Sequence, residues 1–169
     1  MSDNAQNAQN AAAPIFDIVR VYTKDCSMET PNVPAIFAEE WKPDLKLDFE
    51  CKTDKLQEEN FEVDLRVTVT CKCGEKVAFI CEVHQAGIFK IANAPDGLED
   101  FLLNGVAPNI LYPYARELIS SSVVRATFPP LNLRPLNFEA MYHQQRAQAA
   151  AQARSDVANG AATDGAPQA

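Results

Sequence analysis

From Phe61 to Thr70 the sequence alternates without a fault. Phe61, Val63, Leu65, Val67 and Val69 fall on one side, and Glu62, Asp64, Arg66, Thr68 and Thr70 on the other. Strand side chains point to opposite faces in turn, so this period of two dictates a strand with one buried and one solvated face. The stretch 45–51 repeats the pattern, with Leu45, Leu47, Phe49 and Cys51 opposed to Lys46, Asp48 and Glu50. Only the polar residues 53–60 separate the two. Residues 77–83 make a further strand after a turn at 72–75, where Gly74 can take a positive φ. Residues 15–23 (IFDIVRVYT), β-branched and aromatic with apolar groups on both faces, make another. Parallel pairing needs a crossover of a dozen or more residues, and these gaps are too short. The strands are therefore expected to form an antiparallel meander.

The chain then changes character. Prolines at 31 and 34 make 25–34 an extended loop, and 35–41 has room for one helical turn before Pro43. A short helix is expected over 96–103, capped by Asp96 and ended near Gly105. Residues 109–126 repeat apolar groups at helical spacing, with Leu111, Ala115, Leu118 and Ser122 on one stripe and Ile119 and Val123 beside it. Asn109 is the expected cap, which puts Pro113 near the first turn. The segment 128–135 (FPPLNLRP) is a loop, and a second helix, capped by Asn137, is expected up to Arg154. Three or four antiparallel strands followed by helical segments put the chain in the α+β class. Residues 1–13 are Asn, Gln and Ala with one acid, and 155–169 mostly Ala, Gly and Asp. Both are expected to be disordered tails around one domain, 14–154.

The net charge of −8 makes a surface that repels phosphate backbones and anionic lipid. Nucleic acid is not an expected partner, nor is direct membrane insertion, and a basic protein is the natural complement. The N-terminus has neither a basic start nor an apolar stretch, and a cytosolic location is expected. Five cysteines, at 26, 51, 71, 73 and 81, are then expected to stay reduced. Cys71 and Cys73 point the same way, but no second pair or histidine cluster completes a zinc site, so no metal or cofactor is expected. Cys81 and His84, three apart on a strand, face opposite ways, which disfavours a nucleophilic pair. A small α+β enzyme using Cys81 or Cys26 is the alternative, and a purely structural oligomerising subunit a third reading.

Most of the acids between 25 and 62 fit a solvated strand face. Asp25 and Glu29, which flank Cys26 and Met28, and Glu82 beside Ile80 mix charge with apolar groups in the way a docking patch does. Phe37, Trp41, Leu131, Leu133, Leu136, Phe138 and Met141 sit in proline-punctuated segments. Such residues are ordinarily core, but loop-borne aromatics and methionine also make adaptable surfaces for unfolded chains.

Several stretches together resemble the SecB family of export chaperones: IVRVYTKD (18–25), TPNVP (30–34), FAEEWKP (37–43), LRVTVT (65–70), CEVHQAGIF (81–89), PNILYPYARELI (108–119) and FPPLNLRPLNF (128–138). The resemblance covers 15 to about 142. It implies an α+β fold, a four-stranded antiparallel sheet with one long helix and a C-terminal helix, and a homotetramer, a dimer of dimers, that keeps preproteins unfolded without ATP or a cofactor and passes them to SecA. The basic, zinc-binding C-terminal segment of SecA would dock on Asp25, Glu29, Ile80 and Glu82. Phe79, Cys81, Val83 and Gln85 match the family segment that affects tetramer assembly. The client groove would take in Phe37, Trp41, Leu45, Leu47, Phe49, Leu136, Phe138, Met141 and Tyr142. Two departures are His84 in place of a usual glutamine, at a solvent-facing position expected to matter little, and Ala86 in place of a usual glycine, which puts a positive φ there in doubt.

Overall fold

In the computed structural model, which describes residues 12–161, the alternating segments become four long strands. They are β1 (Ile15–Glu29), β2 (Pro43–Lys55), β3 (Asn60–Cys73) and β4 (Lys76–Ala92). They form one antiparallel sheet in the order β1-β4-β3-β2. The meander β2-β3-β4 is as expected, and β1 closes against the outer side of β4. The segment between β1 and β2 therefore crosses from one edge of the sheet to the other. It carries a short 3-10 turn, Ala35–Ala38, and Asn32 Nδ2 fastens it to the Val77 carbonyl at 2.9 Å.

β1 runs six residues beyond the expected end and absorbs Asp25–Glu29, which had been expected to loop. Pairing with β4 supplies the reason: Asp25 faces His84 and Glu29 faces Ile80 in register. β4 likewise extends to Ala92 because β1 and β3 satisfy it on both sides. Register shifts between Ile18 and Arg20 and between Thr23 and Asp25 explain the two-sided apolar pattern of β1. Each extra residue turns the following side chains over, so Phe16, Ile18, Val21 and Met28, which alternate out of step in the sequence, all pair with residues on the covered face of β4.

One sheet face is covered. β3 contributes Phe61, Val63, Leu65, Val67, Val69, Cys71 and Cys73, all buried, and β4 contributes Phe79, Cys81, Val83, Phe89 and Ile91. Burying one such large apolar side chain is worth about 1.5–3 kcal/mol, so this face sets the pairing register. The cover is a helical rod in three consecutive pieces: α1 (Leu98–Phe101), a π-helical turn (Leu102–Val106) and α2 (Ala107–Arg125). Gly105 does not end a helix, and Asp96 does not cap one; Gly97, at φ 83°, precedes α1. Leu111, Ala115, Ile119 and Val123 meet the sheet at intervals of four, while Leu118 and Ser122 lie at the margin. Pro113 is inside α2, beyond the first turn.

Asn109 caps a different helix from the one expected. Its Oδ1 accepts the Phe138 N–H at 2.9 Å and its Nδ2 donates to Glu139 Oε1 at 3.0 Å, at the start of α3 (Phe138–Ala161). Asn137 takes its expected role, accepting from the Ala140 N–H at 2.9 Å. The loop before α3 is tied to α2 by Ser120 Oγ on the Leu131 carbonyl (2.7 Å) and Tyr112 Oη on the Arg134 carbonyl (2.8 Å). α3 runs past the expected tail boundary at 155 to Ala161, as its Ala- and Gln-rich composition favours. Residues 1–11 and 162–169 of the expected tails lie outside the described residues.

Ala86 sits in regular β4 and is not among the residues of positive φ. The glycine that matters is Gly87. A Cβ there would lie 2.9 Å from the Phe89 ring and 3.1 Å from the Arg20 carbonyl oxygen. Gly87→Ala should cost about 1–3 kcal/mol by overpacking, read as a fall in the urea midpoint. An unchanged midpoint would contradict this packing.

Candidate functional site

The two faces of the sheet carry different chemistry. On the covered side, aromatic groups run from the β1–β2 crossing to α3. Phe128, buried, forms a hub, with ring centroids 5.3 Å from Phe37, 5.7 Å from Trp41 and 5.1 Å from Phe79. Phe37 and Trp41 are themselves exposed. Further along, Phe49 of β2 meets Phe138 of α3 edge-on at 5.5 Å. Between β2 and α3 lies a cleft of about 250 Å³ lined by Phe49, Cys51, Phe138, Met141, Tyr142 and Gln145, among others. Tyr142 is oriented by its hydroxyl, which donates to Asp100 Oδ2 at 2.6 Å.

Most of the expected client residues thus come to one side. Phe37, Trp41, Leu45 and Phe49 are exposed, and Leu47, Leu136, Met141 and Tyr142 are half-buried. Phe138 departs from the expectation. It is only 4% exposed, packed between Phe49 and Tyr112, and serves as the floor of the cleft rather than a contact. Phe128 was not among the expected residues. Its place at the head of FPPLNLRP was the available signal, since two prolines hold the chain after it extended.

The other sheet face is open and polar. Asp25, Glu29, Ile80 and Glu82 all lie there: Glu29 pairs with Ile80, and Ser27, between the two β1 acids, pairs with Glu82. Glu82 accepts from Thr68 Oγ1 at 2.7 Å and has Arg66 Nη1 at 3.8 Å and His84 Nε2 at 3.6 Å. The Thr68 hydrogen bond, with Arg66 and His84, holds the Glu82 carboxyl below the usual range. Next to it, Lys24 reaches Glu62 (3.0 Å) and Asp64 (3.3 Å), and Tyr22 donates to Glu62. Burial and the Glu62 hydrogen bond push the Tyr22 phenol up to about 12. The same bond, with Lys24, lowers the Glu62 carboxyl.

A carboxyl depressed in the folded state stabilises above its unfolded pKa, and that stability is lost as pH falls through the folded value. Glu62→Gln should therefore flatten the loss of stability below about pH 4.3, the ordinary Glu value. Denaturation midpoints from pH 6 to pH 3 check this. Parallel curves for both proteins would refute it.

Phe79, Cys81, Val83 and Gln85, the four β4 residues matched to tetramer assembly, are all buried beneath α2 within one chain, with Thr23 Oγ1 donating to Gln85 Oε1 at 3.1 Å. The groups left outside are Ile15, Ile18 and Val19 on the β1 edge and Tyr114 and Val124 on α2.

Burial works against a reactive thiolate at three of the five thiols. Burial pushes Cys51 up to about 12 and Cys71 and Cys81 up to about 11, which disfavours the nucleophilic thiolate. His84 turns to Asp64 at 3.2 Å, on the face opposite Cys81. Among the described residues no three His, Cys, Asp or Glu side chains are gathered to hold a metal ion. No helix among them is long and apolar enough to cross a membrane.

The sheet thus leaves aromatic groups open along one side and a charged face on the other. The family model for preprotein translocase subunit SecB matches residues 9–149, most of the chain. The chain belongs to the SecB family. In fold it is similar to a SecB-like chaperone from Mycobacterium tuberculosis, solved in complex with a ChAD peptide from the HigA1 antitoxin. The two share 18% identity over 72% of this chain and 90% of that one, with a TM-score of 0.60. A protein of unknown function from Streptococcus agalactiae overlaps 73% of this chain and 99% of its own at 10% identity, but its TM-score of 0.37 is too low to define a shared fold.

Proposed function

We propose that this SecB-family chaperone is a cytoplasmic holdase that keeps preproteins unfolded and delivers them to SecA. The observation that carries this is the placement of two unlike surfaces on opposite faces of one sheet. The Phe37–Trp41–Phe49 side offers half-exposed aromatic contacts over a long track. Contacts spread this way give affinity with little sequence choice, which suits an unfolded chain. The peptide bound by the M. tuberculosis protein supports a polypeptide as ligand. The acidic patch of Asp25, Glu29, Ile80 and Glu82 remains free for a basic motor segment while the client is held.

The working unit in this reading is a homotetramer, a dimer of dimers. Its contacts fall on the β1 edge and the outer face of α2, where apolar groups remain exposed. Phe79, Cys81, Val83 and Gln85 act behind α2, setting its seat on the sheet.

The test is titration with an unfolded preprotein. Phe49→Ala should weaken binding about three- to tenfold, and Phe37→Ala, Trp41→Ala and Phe49→Ala together should bring it close to zero. All variants should bind a basic SecA C-terminal peptide as wild type does. A triple variant that stays folded and holds the preprotein at full affinity would place the client surface elsewhere.

A further inference from the structure

His84 stands inside the charged face on which the docking reading rests. On β1 its register partner is Asp25, and on β3 it is Arg66. Its Nδ1 lies 3.2 Å from Asp64 Oδ1, and its Nε2 lies 3.6 Å from Glu82 Oε1. Arg66 is shared, with Nη2 on Glu50 at 2.7 Å and Nη1 3.8 Å from Glu82 Oε2, and Lys24 binds Glu62 and Asp64. The imidazole therefore bridges the structural network of β3 and the docking acid Glu82, and it is half-buried, as Glu62, Asp64 and Glu82 around it are.

We infer that His84 makes docking of a basic partner sensitive to pH, its protonated form competing for Glu82. Imidazole is the side chain whose charge changes between about pH 5 and 8. Neutral, it leaves the Glu82 carboxylate to an incoming lysine or arginine. Protonated, it places a cation against Glu82 and opposite Asp25, which blunts the negative field over the patch and occupies one of its acids. Linkage makes the effect reciprocal: a bound basic segment disfavours the imidazolium, so capture at acid pH expels a proton. The inference rests on the proposed docking surface and adds its regulation.

The probe is a basic SecA C-terminal peptide, titrated at pH 7.5 and pH 5.8 against wild type and His84→Gln. The peptide's own titration is common to both proteins, so only the difference between them reports His84. Wild type should lose about three- to fivefold more affinity than His84→Gln on acidification, the range of one exposed charge pair. The chain holds two histidines, His84 and His143. The imidazole NMR signal absent from His84→Gln should move its titration to lower pH when peptide is added. Equal losses in the two proteins, or an imidazole titration unmoved by peptide, overturn the inference and leave the docking surface standing. No binding to wild type at either pH overturns the docking surface itself.

Discussion

Cys81→Asp should break the assembly. Cys81 is fully buried on β4 beneath α2, where burial already pushes its thiol up to about 11. An aspartate there would be an uncompensated charge in apolar surroundings, costing several kcal/mol, of the order of 3–5. The side chain cannot reach solvent without lifting α2, the element whose outer face carries Tyr114 and Val124. Sedimentation should show wild type as a species of four times 18.6 kDa and the variant as smaller species, with a lower urea midpoint. Cys81→Val, apolar and of similar bulk, should behave close to wild type. A Cys81→Asp protein with unchanged midpoint and unchanged sedimentation would mean that the seat of α2 does not govern assembly.

Glu82→Lys should separate the two binding activities. Exposed charge pairs are worth roughly 0–1 kcal/mol each, so a basic segment must engage several acids together, with Ile80 adding apolar contact. Glu82→Gln removes one attraction and should weaken SecA about fivefold. Glu82→Lys reverses the sign and should weaken it about fiftyfold, since like charges in an interface cost more than a missing pair. The loss should shrink as salt rises, because surface charges are screened over about 8–10 Å near physiological ionic strength. Client binding should be retained, because Phe37, Trp41 and Phe49 lie on the other side of the sheet. Lysine and glutamine variants that bind SecA like wild type would remove Glu82 from the docking surface.

The parts legible in the sequence were those where one physical rule acts alone. β3 alternates because one face is buried and the other is not, and its register follows from that pattern, while β2 repeats the alternation at a sheet edge where Leu45 and Phe49 stay exposed. The end of β1 was obscured because Pro31 and Pro34 are strong loop signals, while pairing with β4, which no local pattern reveals, keeps Asp25–Glu29 extended. Gly105 reads as a helix stop by propensity. In the fold it is a point of close approach, where a Cβ would lie 3.1 Å from the Phe101 ring and 3.5 Å from the Glu139 Cα. Asn109 reads as a cap for its own helix, yet it serves α3 twenty-nine residues on, a tertiary contact invisible to local rules. The same limit applies at the proposed client surface. Phe49 and Phe138 look alike in sequence, but packing against Tyr112 buries one and leaves the other 37% exposed. Asp25, Glu29 and Glu82 stand out in the sequence as acids mixed with apolar groups, but that the β1 pair shares a face with Ile80 and Glu82 follows only from the register of β1 on β4.

Light scattering during size-exclusion chromatography, with and without an unfolded preprotein, tests the holdase reading most directly. The expected result is a peak of four times 18.6 kDa that takes up one client chain and keeps it from aggregating, with no nucleotide present. A protein that runs as a monomer at micromolar concentration, or a client that refolds or aggregates at the same rate in its presence, would contradict it.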